Sequence, residues 1–83
     1  MERITYKTEF LQTKALVVMN DPLWRRPWYL KNVRNGKYEW TRNGLFAKEF
    51  SLKTATKHKE DLERGADKEW EAYHNSWAEA FNK

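Results

Sequence analysis

The sequence predicts an α+β domain: a small, mostly antiparallel sheet of three to five strands followed by a long amphipathic helix or helix pair. Three observations predict it. Apolar residues in the first half alternate or cluster over strand-sized lengths. The pair Asn35-Gly36 lies midway between two such runs. From Leu52 onward apolar residues recur at steps of three and four. With 83 residues, 40% of them hydrophobic, the chain makes one domain, mainly β over 1–50 and helical over 51–83. Its five tryptophans must supply much of the core, since no cysteine is present to staple so small a fold.

Ile4, Tyr6, Thr8 and Phe10 alternate with Arg3, Thr5, Lys7 and Glu9, a period of two that predicts a half-buried strand. Gln12-Thr13-Lys14 turns the chain into a second, wholly apolar strand from Ala15 to Met19, which Asn20-Asp21-Pro22 ends. Leu23-Trp24-Arg25-Arg26-Pro27 reads as a loop.

Trp28 to Val33 and Lys37 to Arg42 flank Asn35-Gly36, the preferred pair for a type I′ hairpin turn. A two-residue turn pairs Arg34 with Lys37, Val33 with Tyr38 and Lys31 with Trp40. Tyr29, Val33, Tyr38 and Trp40 then form a core face that also carries Lys31 and Arg42. Asn32, Arg34, Lys37, Glu39 and Thr41, with Leu30 near the base, form the other face. Asn43-Gly44 predicts a longer loop or bulge, because a tight turn would put Phe46 and Phe50 opposite Trp40. A short strand follows around Ala47 to Phe50.

Ser51 is the expected N-cap of the helical region. Leu52, Ala55, Lys59, Leu62, Ala66, Trp70, Tyr73, Trp77 and Phe81 form its stripe, apolar apart from Lys59. Either one helix runs from about Leu52 to Ala80 or two helices break near Gly65-Ala66-Asp67. An unbroken helix of about thirty residues would span about 45 Å, more than this sheet. Part of the stripe (Trp70, Tyr73, Trp77, Phe81) would then meet a second copy in a homodimer.

Charge carries the functional signal. Residues 25–59 hold ten Lys/Arg against two acids, a balance of +8; residues 1–24 are neutral, and residues 60–83 stand at −4. The formal total of +4 hides that polarity. A basic, aromatic-rich stretch beside an acidic tail points to a polyanionic partner, RNA or DNA. Ordinary solvated lysines and arginines are the plain alternative, and the concentration of charge argues against it. Arg25, Arg26, Lys31, Arg34, Lys37, Arg42, Lys53 and Lys57 are the candidate phosphate-neutralising residues. Trp24 or Trp28 are candidates to stack on an unpaired base, with core packing the competing role for both. No aromatic ribonucleoprotein motif, Gly-x-x-Gly clamp or zinc-finger spacing is present, so charge and shape rather than a base code are expected to govern contact. That favours RNA over DNA.

Catalysis has little to stand on. His58 and His74, the only histidines, are sixteen residues apart, and Glu71-Ala-Tyr-His74 is a single Glu-x-x-His where a di-iron site needs two. Both are expected to be solvated helix histidines, His58 within reach of phosphate. No catalytic residue, metal site or cofactor is expected. No apolar run approaches a membrane span of about 18 residues, and the N-terminus has no signal-peptide core. A cytoplasmic protein with no membrane partner is the expectation.

The run Trp28-Tyr-Leu-Lys-Asn-Val-Arg-Asn-Gly-Lys-Tyr38, then Trp40-Thr41, then Ala47-Lys-Glu-Phe-Ser-Leu-Lys-Thr-Ala55, resembles a pattern of small bacteriophage accessory proteins: Y-[IL]-K-N-x-x-x-G-K-Y, W-T, A-K-x-F-S-x-x-x-A. It covers about a third of the chain. The resemblance implies a non-enzymatic anti-host or anti-defence role, exerted by inhibiting or sequestering a host nucleic-acid enzyme or defence factor in the host cytoplasm. In size and basic character the chain is also similar to RNA-binding phage inhibitors of a host ribonuclease toxin. The strand–strand–strand–helix order and Phe50-Ser-Leu-Lys53 resemble the arm-binding domain of phage integrases, which would make the chain a small DNA-binding regulator. A third possibility is a protein-interaction module that docks its basic hairpin on an acidic host protein without nucleic acid.

Overall fold

The computed structural model describes residues 3–81, the last of them in backbone only. Five strands and two helices follow in the order β1 (Thr5–Leu11), β2 (Lys14–Asn20), β3 (Trp28–Arg34), β4 (Lys37–Thr41), β5 (Phe50–Ser51), α1 (Leu52–Glu63) and α2 (Lys68–Phe81), with a single 3₁₀ turn at Gly44–Phe46. This is the α+β architecture predicted, and every strand pairing is antiparallel.

The apolar run Ala15–Met19 becomes the central strand because every residue in it is buried, as a strand covered on both faces requires. One edge of β2 pairs along its whole length with β1, from Thr5↔Asn20 to Leu11↔Lys14. The other edge is shared. β3 holds Val18 and Met19 through Tyr29 and Trp28, while β5 holds Lys14 and Ala15 through Ser51 and Phe50. Between them the chain is tied in by the Lys48 N–H, which donates to the Leu30 carbonyl at 3.0 Å.

The hairpin turn falls at Asn35-Gly36, with φ of 50° and 78°, and Arg34↔Lys37 and Val33↔Tyr38 pair as expected. The register then departs from the sequence-based expectation. A bulge between Leu30 and Asn32 makes Lys31 the extra residue, so Leu30, not Lys31, opposes Trp40. The inner face is therefore Trp28, Leu30, Val33, Tyr38 and Trp40, and Tyr29 turns outward beside Gly44. The physical reason is burial: unbulged pairing would put a lysine inside and a leucine out, whereas Leu30 is fully buried and Lys31 exposed.

The expected third strand around Ala47 is reduced to Phe50–Ser51, preceded by the 3₁₀ turn that Asn43 caps through its side chain on the Leu45 N–H at 2.9 Å. Ser51 caps α1 as predicted, accepting from the Thr54 N–H at 3.2 Å. Ala55 and Leu62 of α1 enter a core built with Tyr6, Ala15, Val17, Met19, Leu30 and Phe50.

Of the two helical alternatives, the broken pair forms. Gly65, at φ +89°, ends α1: its N–H donates to the Leu62 carbonyl at 3.0 Å and that of Ala66 to the Asp61 carbonyl at 3.1 Å, the two bonds of a Schellman motif. Twelve and fourteen residues span about 18 and 21 Å. The length that argued for a helix overhanging the sheet, and hence for a dimer, is absent. Among the described residues no helix is long and apolar enough to cross a membrane.

Candidate nucleic-acid interface

Sequence order separates the loop after β2 from α2 by some forty residues, yet one side chain joins them. Asp21 is 2% exposed. Its Oδ2 accepts from Trp70 Nε1–H at 2.9 Å, and its Oδ1 lies 2.8 Å from His74 Nδ1. Because a carboxylate oxygen accepts, Nδ1 of His74 carries the proton of that bond. Oδ1 also accepts the Leu23 N–H at 3.0 Å, which shapes the loop that carries Trp24, Arg25 and Arg26.

A second buried aspartate fixes the start of α2. Asp67 Oδ2 accepts from Trp40 Nε1–H at 2.7 Å, and its Oδ1 caps the helix through the Trp70 N–H at 3.1 Å. Glu69 and Glu71 in the first turn complement the helix dipole. His74 thus corrects the expectation of a solvated histidine: it is 7% exposed and bonded. A signal for it did exist, since His74 lies one helical turn from Trp70 and shares its face.

These anchors line up a row of rings. Trp24 meets Trp28 edge-on at 5.7 Å, Trp28 meets Trp70 at 5.0 Å, Trp70 meets Tyr73 at 5.8 Å and Tyr73 meets Trp77 at 5.8 Å. A groove of about 300 Å³ opens along it, walled by Trp24, Trp28, Tyr38, Trp70 and Tyr73, with Asp67 and Glu69 at its border. The indole N–H groups of Trp24 and Trp28 are closed from solvent and have no acceptor among the described residues. The guanidinium of Arg42 lies over both rings, 4.5 Å from the Trp24 centroid and 4.8 Å from that of Trp28.

All eight predicted phosphate-binding residues are exposed, but they do not form one continuous patch. Arg42 stands at the aromatic row, over Trp24 and Trp28, and Arg25 and Arg26 follow Trp24 in the loop. Arg34 and Lys37 face each other at the hairpin tip, separated from Arg42 by β4, five residues long and so about 17 Å. Lys31 stands at the bulge, and Lys53 and Lys57 on the outer side of α1.

Arg34 has Glu39 at 3.7 Å and Lys37 has Glu69 at 3.9 Å, both long and solvent-exposed pairs. Among the described residues the other six have no acidic partner within 4 Å.

Of the residues expected at a dimer interface, Trp70 is committed to its own fold through Asp21 and Trp28. Tyr73 and Trp77 are each 43% exposed, and the side chain of Phe81 lies outside the described residues. Trp28 likewise packs against the core, so of the two stacking candidates only Trp24 stands outside it.

Among the described residues three titratable side chains are perturbed. Burial pushes the Tyr6 hydroxyl far above its ordinary range, with Glu71, Asp67 and Asp21 adding to the shift. Burial also raises Tyr38, helped by Asp61 and Asp67. His58 is pushed below the usual histidine value by burial, with Lys57 and Lys48 acting in the same direction and Asp61 against it. It packs edge-on to Phe50 at 5.0 Å and Tyr38 at 6.2 Å, which leaves it poorly placed for the phosphate contact expected of it. Among the described residues no three His, Asp or Glu side chains come together as a metal-binding group.

Compared with protein-family models, with curated proteins and with solved structures, the chain matches none.

Proposed function

We propose that this chain is a non-enzymatic nucleic-acid-binding protein, with RNA favoured over DNA, that acts by occupying or sequestering a host nucleic-acid enzyme or defence factor. One observation carries the binding part: among the described residues, six of the eight candidate phosphate-binding cations are exposed with no acidic partner within 4 Å, and the other two have only long exposed pairs. Charges left unneutralised within the protein are available to displace counterions from a phosphate backbone. The host-directed part is supported by the sequence resemblance to small phage accessory proteins.

The test is an anisotropy titration of single-stranded RNA across salt, on wild type and on Arg25→Ala/Arg26→Ala/Lys37→Ala. If about five phosphates are engaged, the log–log salt slope is roughly −3.5 on a single strand and −4.5 on duplex DNA, and the triple variant flattens it. Absence of binding at about 100 mM salt, or a triple variant that binds like wild type, overturns the proposal.

A second reading is favoured by one specific feature. Leu45 and Phe46 are 89% and 65% exposed on the capped 3₁₀ turn, between Arg42 and Lys48 in sequence. An apolar tip bracketed by cations suits an acid-rimmed pocket on a partner protein. Under that reading Leu45→Ser/Phe46→Ser abolishes the effect on the host and leaves RNA affinity untouched.

A further inference from the structure

The aromatic row, with Arg42 over two of its rings, holds a groove for which the charge count alone has no role. We propose that this groove, between Trp24 and Tyr73, seats one unpaired nucleobase of a single-stranded segment, whose sugar–phosphate chain leads over Arg25, Arg26 and Arg42. This rests on the nucleic-acid reading above and specifies its site and substrate class.

Size, chemistry and charge converge on that occupant. A volume of about 300 Å³ lies at the lower limit of small-ligand pockets, and it suits one ring system rather than a larger cofactor. The walls are π faces and edges, the surfaces on which bases of any identity stack. The border holds the Glu69 carboxylate, which accepts from base N–H groups, 3.9 Å from the Lys37 ammonium.

Arg42 argues against the other ligand that aromatic pockets take. A quaternary ammonium group needs open ring faces and a negative surround. Here Arg42 already lies over Trp24 and Trp28, and Arg25 and Arg26 follow directly in the loop. The cation–π position is thus already filled by Arg42, and the Asp67 and Glu69 carboxylates in the lining are offset by Arg42 and by Lys37, 3.9 Å from Glu69, so that a ligand joining a flat ring to a phosphate finds both acceptors for its base and cations for its chain.

Base pairing and stacking hide ring faces within a duplex, so the strand must present the base unpaired, in a loop, a bulge or a single-stranded run.

The experiment compares a short single-stranded RNA with an abasic strand of the same length and phosphate count. Anisotropy is read on wild type, Trp24→Ala and Tyr73→Ala, each checked for native circular dichroism. Wild type is expected to bind the base-bearing strand roughly tenfold or more above the abasic one. Trp24→Ala and Tyr73→Ala should shrink that ratio toward one while the salt slope stays at the wild-type value, since neither removes a cation. Because Tyr73 is 43% exposed, its truncation tests the groove even if loss of Trp24 disturbs the loop.

Equal binding of the two strands by wild type overturns the base-seating proposal and leaves the electrostatic reading standing. So does a strand preference that survives both variants. Failure to bind either strand at low salt overturns both together.

Discussion

Trp70 Nε1–H and the Asp21 carboxylate meet at 2.9 Å across forty-nine residues of sequence, and one turn further along the same helix His74 takes the other oxygen at 2.8 Å. A single buried side chain therefore fastens α2 to the loop that carries Trp24. Asp21→Ala should remove two acceptors at once and leave a buried indole and a buried imidazole without partners. Urea denaturation should show a loss of roughly 3 kcal/mol, and Asp21→Asn a smaller one. A loss below about 0.5 kcal/mol would mean that ring packing alone holds the helix.

Trp40 and Asp67 provide a second, separable fastening. Trp40→Phe keeps most of the ring but removes the N–H that bonds Asp67 Oδ2 at 2.7 Å. The expected cost is about 1–3 kcal/mol. In a double-mutant cycle with Asp67→Ala the two losses should be strongly non-additive, because both delete one bond.

Gly65 turns the chain between the helices at φ +89°, where a side chain is strained, and an added Cβ would lie 3.4 Å from Glu71 Oε2. Gly65→Ala should lower stability by about 1–2 kcal/mol. Gly65→Asn should cost less, since asparagine tolerates the left-handed conformation better. Equal costs for the two would show that space rather than backbone conformation decides.

His58 gives a pH dependence whose sign is fixed. Its folded-state pKa lies below the unfolded value, so the unfolded chain binds a proton first as pH falls. The stability contributed by the neutral ring is fully present above about pH 6.5 and is lost as pH drops toward the folded value. Denaturation midpoints measured from pH 7.5 down to 5 should fall, and His58→Gln should flatten that part of the profile. An NMR titration placing His58 above the ordinary histidine value would contradict the assignment.

The elements that were legible in the sequence are those governed by neighbours along the chain. Alternation through Tyr6, the apolar run at Ala15–Met19, the Asn35-Gly36 turn and the Ser51 cap all express local rules, and all form as expected. The bulge at Lys31 was not legible, because it reflects a choice between burying Leu30 and burying Lys31 that only the packed helices impose.

In the sequence Asp21 looks like a turn former and His74 like a surface residue for a similar reason. Each is unremarkable among its neighbours, and their roles exist only as a pair. The basic residues were readable by composition, but their division among the loop, the hairpin tip and α1 was not. That division depends on which strand ends meet which helix.

The shared edge of β2 has a consequence for how the chain emerges during synthesis. Residues Lys14 and Ala15 gain their second strand partner only when Phe50 and Ser51 arrive. Until then a nascent chain carries an apolar central strand with part of one side open to any other extended segment. The hairpin of β3 and β4 covers only Val18 and Met19 and cannot close the gap. The sheet is thus complete only once Phe50 and Ser51 have themselves left the ribosome's exit tunnel, and a chain held before that point presents an edge prone to aggregate.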